Sequence, residues 1–409
     1  MNAKKEKIKC LESYRGLACL TIVIFHYPTS SFLHLNSFVQ SANYLLFFFF
    51  VLSGFVISHN YFDKLYNFQL LKEFGIKRFL RLWPLHITII LLYVFFEAVK
   101  YFILNTSYIN ANPNVNPFGG GRSVRNLIET IFLIQALFEQ KYSTWNTPAW
   151  SISTEFYTYL LFGLALFVSR KKSSLFLILT FVFFSLIQNE HLIDISFINE
   201  YKRFFNTSPE SIICWHHSCR WNLMNNNGLT GTVFSGYASI SGLFFLTIGS
   251  FIFGVIVNLI YKKFYHTKVN EIFCWFFLIL AIYLLVVEKN FIIFDTVWLL
   301  IIIFGFLIFT SAFLNSSSYL SKILNLGILQ FLGKISYSLY MIHFLLGYLL
   351  NQFLRLVIKV DVTMTEQNTA AHFNFTPLES LGYTFIYLTL SILASWFLYV
   401  FIENRFRAK

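Results

Sequence analysis

Apolar runs close to twenty residues long follow one another along almost the whole 409-residue chain. In helical conformation, about twenty apolar residues cross the hydrocarbon core of a bilayer. The composition agrees, with 56% hydrophobic and only 12% charged residues. No polar stretch is long enough to build a globular domain of its own. We therefore expect an all-α polytopic membrane protein with a single transmembrane domain over residues 1–409.

The basic residues predict how the chain is oriented in the membrane. The net charge is +12, but the lysines and arginines cluster at the ends of apolar runs, as in MNAKKEKIK and ENRFRAK, rather than along one stripe. This pattern reports orientation and argues against a nucleic-acid partner. We expect both termini in the cytosol. The first apolar run contains Arg15 and His26 and lacks a small-residue cleavage site, so it is not a cleavable signal peptide.

The order of apolar runs predicts about ten crossings and one partial one. The run at 126–139 is too short to cross, and the run after it ends in the basic SRKKSS, so we expect a re-entrant or interfacial segment on the outer side. Residues 190–237 form an outer loop, and 315–334 an amphipathic helix on the inner surface. The ten crossings are expected at about 11–28, 41–60, 82–104, 149–168, 175–190, 238–261, 271–287, 291–314, 335–357 and 381–402.

Two polar side chains interrupt the first run, YRGLACLTIVIFHY. Charged groups inside a span are costly and usually face a cavity where they serve chemistry or transport. Arg15 and His26 are eleven residues apart, so a helix places them on nearly the same face, about 16 Å apart along its axis. Snorkelling of the arginine and a boundary position of the histidine explain each residue alone. The shared face favours a functional pair, in which histidine serves as a general base.

A pair of arginines lies at the cytosolic end of the third run, in KRFLRLWPLH. Arg78 and Arg81 are three residues apart, so they lie one above the other on a helix face. Their planar, forked guanidiniums suit phosphate groups. The excess of basic residues on the cytosolic side also explains the pair, and for this motif alone it is the better explanation.

A third polar group lies in WNTPAWSISTEFYTYL. A carboxylate inside a span is costly unless it is paired, so we expect Glu155 to pair with His26 or Arg15 and to fix the tautomer of the histidine. The aromatic belt of the interface explains the Trp and Tyr residues, but it does not explain Glu155. Further side chains that line the same cavity, or bond across helices, are Ser53, Trp150, Ser151, Tyr337, Tyr340 and His343.

The cysteines and histidines indicate no metal site. The five cysteines and ten histidines do not have the spacing of a structural zinc site. Cys214 and Cys219 in the outer loop can pair if that loop faces an oxidising compartment, and the sequence leaves this open, together with the oligomeric state.

With these segments, the chain resembles the acyltransferase-3 family of integral membrane acyltransferases, from Leu11 to about Arg407. Arg15 and His26 match the Arg-X10-His pattern of that family, and Arg78 and Arg81 match its Arg-X-X-Arg pattern. FFFVLSGFVIS, WSISTEFYTYLL and GKISYSLYMIHFLL look like its second-span, Trp-Ser-Glu and late-span signatures, in the same order. The chain resembles a stand-alone form, without the hydrolase-like domain that many relatives carry.

The resemblance implies a membrane O-acyltransferase in a bacterial inner membrane. It implies His26 and Glu155 as catalytic residues and Arg15, Arg78 and Arg81 as residues that bind the donor. The donor would be cytosolic acyl-coenzyme A, with acetyl the preferred acyl group and no metal. The acceptor would be a hydroxyl of a surface polysaccharide, such as an O-antigen or exopolysaccharide, or of a lipid-linked sugar. The alternative is a multipass transporter or flippase with Arg15, His26 and Glu155 as its polar pathway.

Overall fold

The computed structural model describes residues 8–27, 29, 31–65, 67–106, 118, 122–136, 145–169, 174, 240–267, 269–287, 294–360, 362–364, 371–373 and 375–407. Their regular secondary structure is helical apart from one short pair of antiparallel strands, so the predicted helical architecture holds for them. The crossing expected at 175–190 and the outer loop expected at 190–237 lie outside the described residues.

The helices are numbered in chain order. Ala42–Tyr44 is a 3₁₀ turn, and Leu354–Ile358 and Tyr399–Glu403 are π-helical turns. The strands β1 (Val362–Met364) and β2 (Ala371–Phe373) pair with Thr363 opposite His372. The α-helices are α1 (Lys9–Phe25), α2 (Phe32–Leu35), α3 (Ser37–Gln40), α4 (Leu45–Tyr61), α5 (Phe68–Thr106), α6 (Val124–Ile131), α7 (Ala149–Ser169), α8 (Ile240–Lys263), α9 (Glu271–Val287), α10 (Phe294–Ala312), α11 (Tyr319–Leu324), α12 (Gly327–Phe353), α13 (Pro377–Leu398) and α14 (Asn404–Arg407).

Several of these helices have the length and composition of membrane spans. Two apolar helices, Glu271–Val287 and Val297–Ala312, are shorter than a full span. The total of ten crossings and the cytosolic position of both termini stay predictions. Five segments among the described residues are long and apolar enough to cross a membrane, namely Ala42–Tyr61, Phe68–Phe102, Ala149–Ser169, Leu246–Lys263 and Pro377–Phe406.

Helix α5 begins much earlier than the crossing expected at 82–104. It starts at Phe68 and has 39 residues, which corresponds to about 58 Å. This length exceeds the hydrocarbon core of about 30 Å, so the basic first part of α5 extends beyond it. Arg78 and Arg81 therefore lie on a rigid helix. Pro84 is tolerated inside α5, and its carbonyl accepts a hydrogen bond from Thr88 Oγ1 at 2.8 Å.

The described part of the re-entrant segment expected at 126–139 is a short helix followed by turns. Helix α6 has eight residues, far too few to cross a bilayer. Backbone carbonyl groups at the end of α6 and in the turn after it accept hydrogen bonds from side chains of α5 and α7. Trp83 Nε1 donates to the carbonyl of Ile131 at 3.0 Å, and Ser153 Oγ donates to the carbonyl of Leu133. Irregular backbone at membrane depth requires such partners, so α6 is held against α5 and α7.

The segment expected as a surface helix at 315–334 is divided between two helices. Helix α12 begins at Gly327 rather than at 335 and runs on to Phe353. The short α11 precedes it, and the carboxylate of Glu271 accepts from the backbone N–H of Tyr319 at 3.0 Å and of Leu320 at 2.5 Å. A carboxylate stabilises a helix N-terminus in this position. The location of this region at the inner membrane surface stays a prediction.

Helices α1 and α12 run parallel and approach each other closely through two glycines. A Cβ atom at Gly16 would lie 2.6 Å from the backbone nitrogen of Gly333, and one at Gly333 would lie 2.2 Å from the carbonyl oxygen of Glu12. Small residues allow such backbone contact between membrane helices. His26 lies ten residues after Gly16, and His343 lies ten residues after Gly333. The two histidines are therefore neighbours in the same register as the two glycines. The glycine contact therefore sets the register of the two histidines.

A second glycine pair joins α4 to α8. A Cβ atom at Gly54 would lie 1.9 Å from the carbonyl oxygen of Phe251, and one at Gly254 would lie 1.9 Å from the carbonyl oxygen of Val51. Neither helix has room for a side chain at this crossing. Because Ser53 precedes Gly54 in the chain, the crossing also fixes where its hydroxyl points.

Candidate active site

A cavity of about 530 Å³ lies between α1, α4, α5, α7 and α12, within the size range of small-molecule sites. Most residues that the sequence predicts for the site line this cavity, and they come from five different helices. Glu12, Tyr159 and Ser336 also line it, although they are not among the residues predicted from the sequence. The predicted residues that line it are Arg15, Ser53, Arg81, Ser151, Glu155, Tyr337 and Tyr340.

Glu155 forms the centre of a hydroxyl network on the cavity wall. Ser53 Oγ donates to Glu155 Oε1 at 2.5 Å, and the hydroxyl of Tyr159 donates to the same oxygen. Tyr159 lies one turn after Glu155 on α7, and this spacing was a signal available in the sequence. The expected pairing of Glu155 with His26 or Arg15 is thus replaced by pairing with two hydroxyls, because α7 presents the carboxylate toward α4.

Arg15 faces the same cavity from α1. Its Nη2 donates to Ser336 Oγ at 3.1 Å, and its Nη1 lies 4.0 Å from Glu12 Oε1. Glu12 precedes Arg15 by three residues, which is the spacing of a helical ion pair. The close approach at the adjacent Gly16 brings α12 near enough for the contact with Ser336.

A second cavity of about 360 Å³ adjoins the first. Arg81 lines both, as do Val56, Ile57 and Asn60. The charged residues around this second cavity are mainly basic, since Lys64, Lys77, Arg78 and Arg81 outnumber Glu73. The two predicted arginines therefore line a basic cavity that shares lining residues with the larger one.

Arg78 is held by aromatic rings and retains a hydrogen-bond donor. Its Nη2 donates to the hydroxyl of Tyr61 at 3.3 Å, and its guanidinium carbon lies 5.3 Å and 5.8 Å from the ring centres of Tyr61 and Phe74. Its Nε is buried and has no hydrogen-bond partner in the part of the chain that the structure describes. A buried charged donor of this kind is available to a water molecule or to an anionic oxygen of a ligand.

His26 ends α1 and forms a pair with His343. His343 Nδ1 lies 2.6 Å from the carbonyl oxygen of Tyr340, and its Nε2 lies 3.2 Å from His26 Nδ1. A carbonyl oxygen only accepts, so His343 Nδ1 donates to it. When both rings are neutral, His343 Nε2 accepts from His26 Nδ1. The proton of His26 is then on Nδ1, and Nε2 has the lone pair of a base.

The histidine pair lies behind the wall of the larger cavity. Tyr340 lines that cavity, its hydroxyl bonds with Ser151 Oγ at 2.9 Å, and its ring centre is 5.7 Å from that of His343. His26 itself is half-buried and is not among the lining residues. Trp150 is not among them either, since it packs against an apolar cluster. One tyrosine therefore separates the cavity from the two histidines.

A family model described as an acyltransferase domain matches residues 8–400. The chain belongs to the acyltransferase-3 family. No curated protein and no solved structure matches it. Together with the apolar helices, this makes the protein an integral membrane acyltransferase and favours the enzyme over the transporter. Among the described residues of this acyltransferase, no group of three or more His, Cys, Asp or Glu side chains is placed to hold a metal ion.

Proposed function

We propose that this acyltransferase moves an acyl group, with acetyl preferred, from cytosolic acyl-coenzyme A to a hydroxyl of a surface polysaccharide or lipid-linked sugar in a bacterial inner membrane. The observation that carries the proposal is the arrangement along the bundle. Arg78 and Arg81 lie at two adjoining cavities, and Tyr340, beside the His343–His26 pair, lines the larger of them.

The basic cavity suits the phosphates of the donor. Arg81 and the unsatisfied Nε of Arg78 supply charged donors there, and guanidiniums bind phosphate oxygens in pairs. The pantetheine arm would extend through the larger cavity past Arg15. An extended arm has about the length of the 16 Å axial rise between Arg15 and His26, so the thioester would lie at the histidine end of the cavity, next to Tyr340.

The two histidines suit base catalysis at the acceptor hydroxyl. His26 Nε2 would take the proton as the hydroxyl oxygen attacks the thioester carbon. A C–O bond forms, the C–S bond breaks, and the thiolate of coenzyme A receives the proton. His343 keeps His26 in the tautomer that this step requires. Glu155, expected to orient His26, would instead shape the cavity beside Arg81, since the two side chains interact electrostatically.

The donor assignment predicts a loss of binding when Arg81 is replaced by alanine. Charge-assisted hydrogen bonds are worth about 1.5–3 kcal/mol, so we expect Arg81→Ala to weaken coenzyme A binding roughly 10- to 100-fold. Binding of labelled coenzyme A to the detergent-solubilised protein measures this. Arg405→Ala, at an exposed position near the C-terminus, is the matched control and should bind normally. Equal affinity of the Arg81 variant and the wild type would refute the donor site.

The tautomer assignment predicts a selective effect at His343. His343→Leu removes the acceptor for His26 Nδ1, and His26 becomes a cation when it takes the proton of the acceptor hydroxyl. A hydrogen bond to a charged group is worth about 1.5–3 kcal/mol, so kcat should fall roughly 10- to 100-fold. The affinity for coenzyme A should not change. His343→Gln provides an amide oxygen as acceptor and should retain more activity than the leucine variant. Equal activity of the two variants would contradict this role of His343.

The acceptor class has its own test. Mass spectrometry of surface glycans and lipid-linked sugars, from cells with and without the gene, should show acyl groups that depend on the protein. Identical acylation in both strains would remove the sugar acceptor from the proposal.

A further inference from the structure

Hydroxyl groups on six side chains line the larger cavity within the described part of the chain. They belong to Ser53, Ser151, Tyr159, Ser336, Tyr337 and Tyr340. A hydroxyl has a single proton to donate, so the atom that receives this proton decides whether the group can also bind an oxygen of a ligand. Ser53 and Tyr159 both donate to Glu155. These two protons are therefore held by a carboxylate.

Backbone carbonyl groups accept the protons of three more of these hydroxyls. Tyr337 donates to the carbonyl oxygen of Leu82 at 2.6 Å. Ser336 and Ser151 donate to carbonyl oxygens three residues earlier in the chain, both at 2.9 Å. A carbonyl oxygen only accepts, so each of these bonds fixes the direction of a hydroxyl proton.

Tyr340 differs from the other five. Its hydroxyl oxygen lies 2.9 Å from Ser151 Oγ. Because the proton of Ser151 goes to a carbonyl oxygen, Tyr340 is the donor in this pair. A bond between two neutral hydroxyls is weaker than a bond to a carboxylate. Tyr340 can therefore turn its proton from Ser151 to the oxygen of a molecule bound in the cavity.

The position of this hydroxyl matches the reacting end of the proposed donor. Tyr340 precedes His343 by three residues on α12, and the two ring centres are 5.7 Å apart. His343 in turn contacts His26, with 3.2 Å between Nε2 and Nδ1. Apolar side chains of three clusters pack against the ring of Tyr340, so the ring is held in place while its proton can turn. Tyr340 thus combines an available proton with a fixed place beside the histidine pair.

We propose that Tyr340 is a catalytic residue, whose hydroxyl donates a hydrogen bond to the carbonyl oxygen of the thioester. This role rests on the proposed function. When the acceptor hydroxyl oxygen attacks, an electron pair of the C=O bond moves onto the carbonyl oxygen. Tyr340 stabilises this oxyanion and keeps its own proton. The C=O bond then forms again, the C–S bond breaks, and the thiolate takes the proton from His26.

A pair of variants tests this role against a purely structural one. Tyr340→Phe removes the hydroxyl and keeps the ring. Because the oxyanion exists only during the reaction, we expect kcat for acetyl transfer to fall roughly 100- to 1,000-fold, with the dissociation constant of coenzyme A unchanged. Ser151→Ala breaks the same bond between α7 and α12 but leaves the phenol, so it should lose much less activity. Tyr283→Phe, at an exposed position of α9, is the control and should transfer at the wild-type rate.

A spectroscopic measurement observes the proposed hydrogen bond without any acceptor. The probe is a ketone analogue of acetyl-coenzyme A, in which a methylene group replaces the sulfur and the carbonyl carbon is isotope-labelled. A hydrogen bond to the carbonyl oxygen lowers its stretching frequency in the infrared difference spectrum. We expect a lower frequency on the wild type than on Tyr340→Phe, and a frequency on Ser151→Ala as low as on the wild type.

The results distinguish this inference from the proposed function. Equal kcat of Tyr340→Phe and the wild type, or the same carbonyl frequency on both, would overturn the role of Tyr340. Equal losses of activity in Tyr340→Phe and Ser151→Ala would also overturn it, since the bond between the helices would then explain both. The donor site and the base would stand in these cases. A folded wild type that binds neither coenzyme A nor the ketone would overturn the proposed function and this inference together.

Discussion

Replacing His26 with alanine is expected to abolish acyl transfer while the protein still folds and binds its donor. His26 is half-buried at the end of α1, so the loss of its ring leaves most of the packing intact. General base catalysis contributes about 10²- to 10⁴-fold to a rate, and we expect a decrease of that size. Membranes that contain the variant, supplied with labelled acetyl-coenzyme A and extracted acceptor, measure the transfer.

The control for this experiment is another histidine. His266 is exposed in the turn after α8, and His266→Ala should transfer at the wild-type rate. Coenzyme A binding should be equal in the two variants. Full transfer by His26→Ala would eliminate His26 as the base and, with it, the proposed mechanism.

The second large effect is expected at the glycine crossing of α4 and α8. A Cβ atom at Gly254 would lie 1.9 Å from the carbonyl oxygen of Val51, so a side chain must push the helices apart. Overpacking costs about 1–3 kcal/mol where side chains can adjust, and here a backbone carbonyl would have to move. We expect Gly254→Leu to give little folded protein.

Fluorescence-detected size-exclusion chromatography and a melting temperature in detergent measure this effect. Gly382 on α13 has no atom within 4 Å of its ideal Cβ position, so Gly382→Leu is the matched control and should fold normally. A Gly254→Leu protein as stable as this control would mean that α4 and α8 do not cross as described.

Local sequence patterns predicted which helices carry the polar residues. The helical period placed Arg15 and His26 on one face of α1, and the structure directs Arg15 into the cavity and His26 to α12. The three-residue spacing likewise placed Arg78 and Arg81 together on α5, at adjoining cavities. The helical period predicts these positions correctly because it determines which residues of one helix share a face.

Relations between helices were not predictable in the same way. The sequence predicts that Glu155 pairs with His26 or Arg15, but its carboxylate accepts from Ser53 and Tyr159. Which side chains meet across helices depends on the register between them, and on this chain that register is set by glycine contacts that no local period reveals. Gly54 was noticeable in VLSGF, but its partner Gly254 lies two hundred residues further on.

The positions at which helices begin and end were also not predicted correctly from the sequence. The buried position of Glu403 depends on the π-helical turn Tyr399–Glu403, and a regular helix through FIENRF would place this carboxylate on a different face. Helices α5 and α12 also begin earlier than the sequence predicts, at Phe68 and Gly327. Basic segments that were expected outside the membrane are therefore continuous with the spanning helices. Hydropathy marks where a chain becomes apolar rather than where its helix begins.

In the proposed mechanism the donor extends from the two arginines to His26. A structure of the protein with a non-hydrolysable thioether analogue of acetyl-coenzyme A would show where the donor lies. We predict that the phosphates contact Arg78 and Arg81 and that the carbon corresponding to the thioester carbonyl lies within about 6 Å of His26 Nε2, the sum of a hydrogen bond and an attack distance. An analogue bound with its phosphates away from both arginines, or with that carbon remote from His26, would contradict the account.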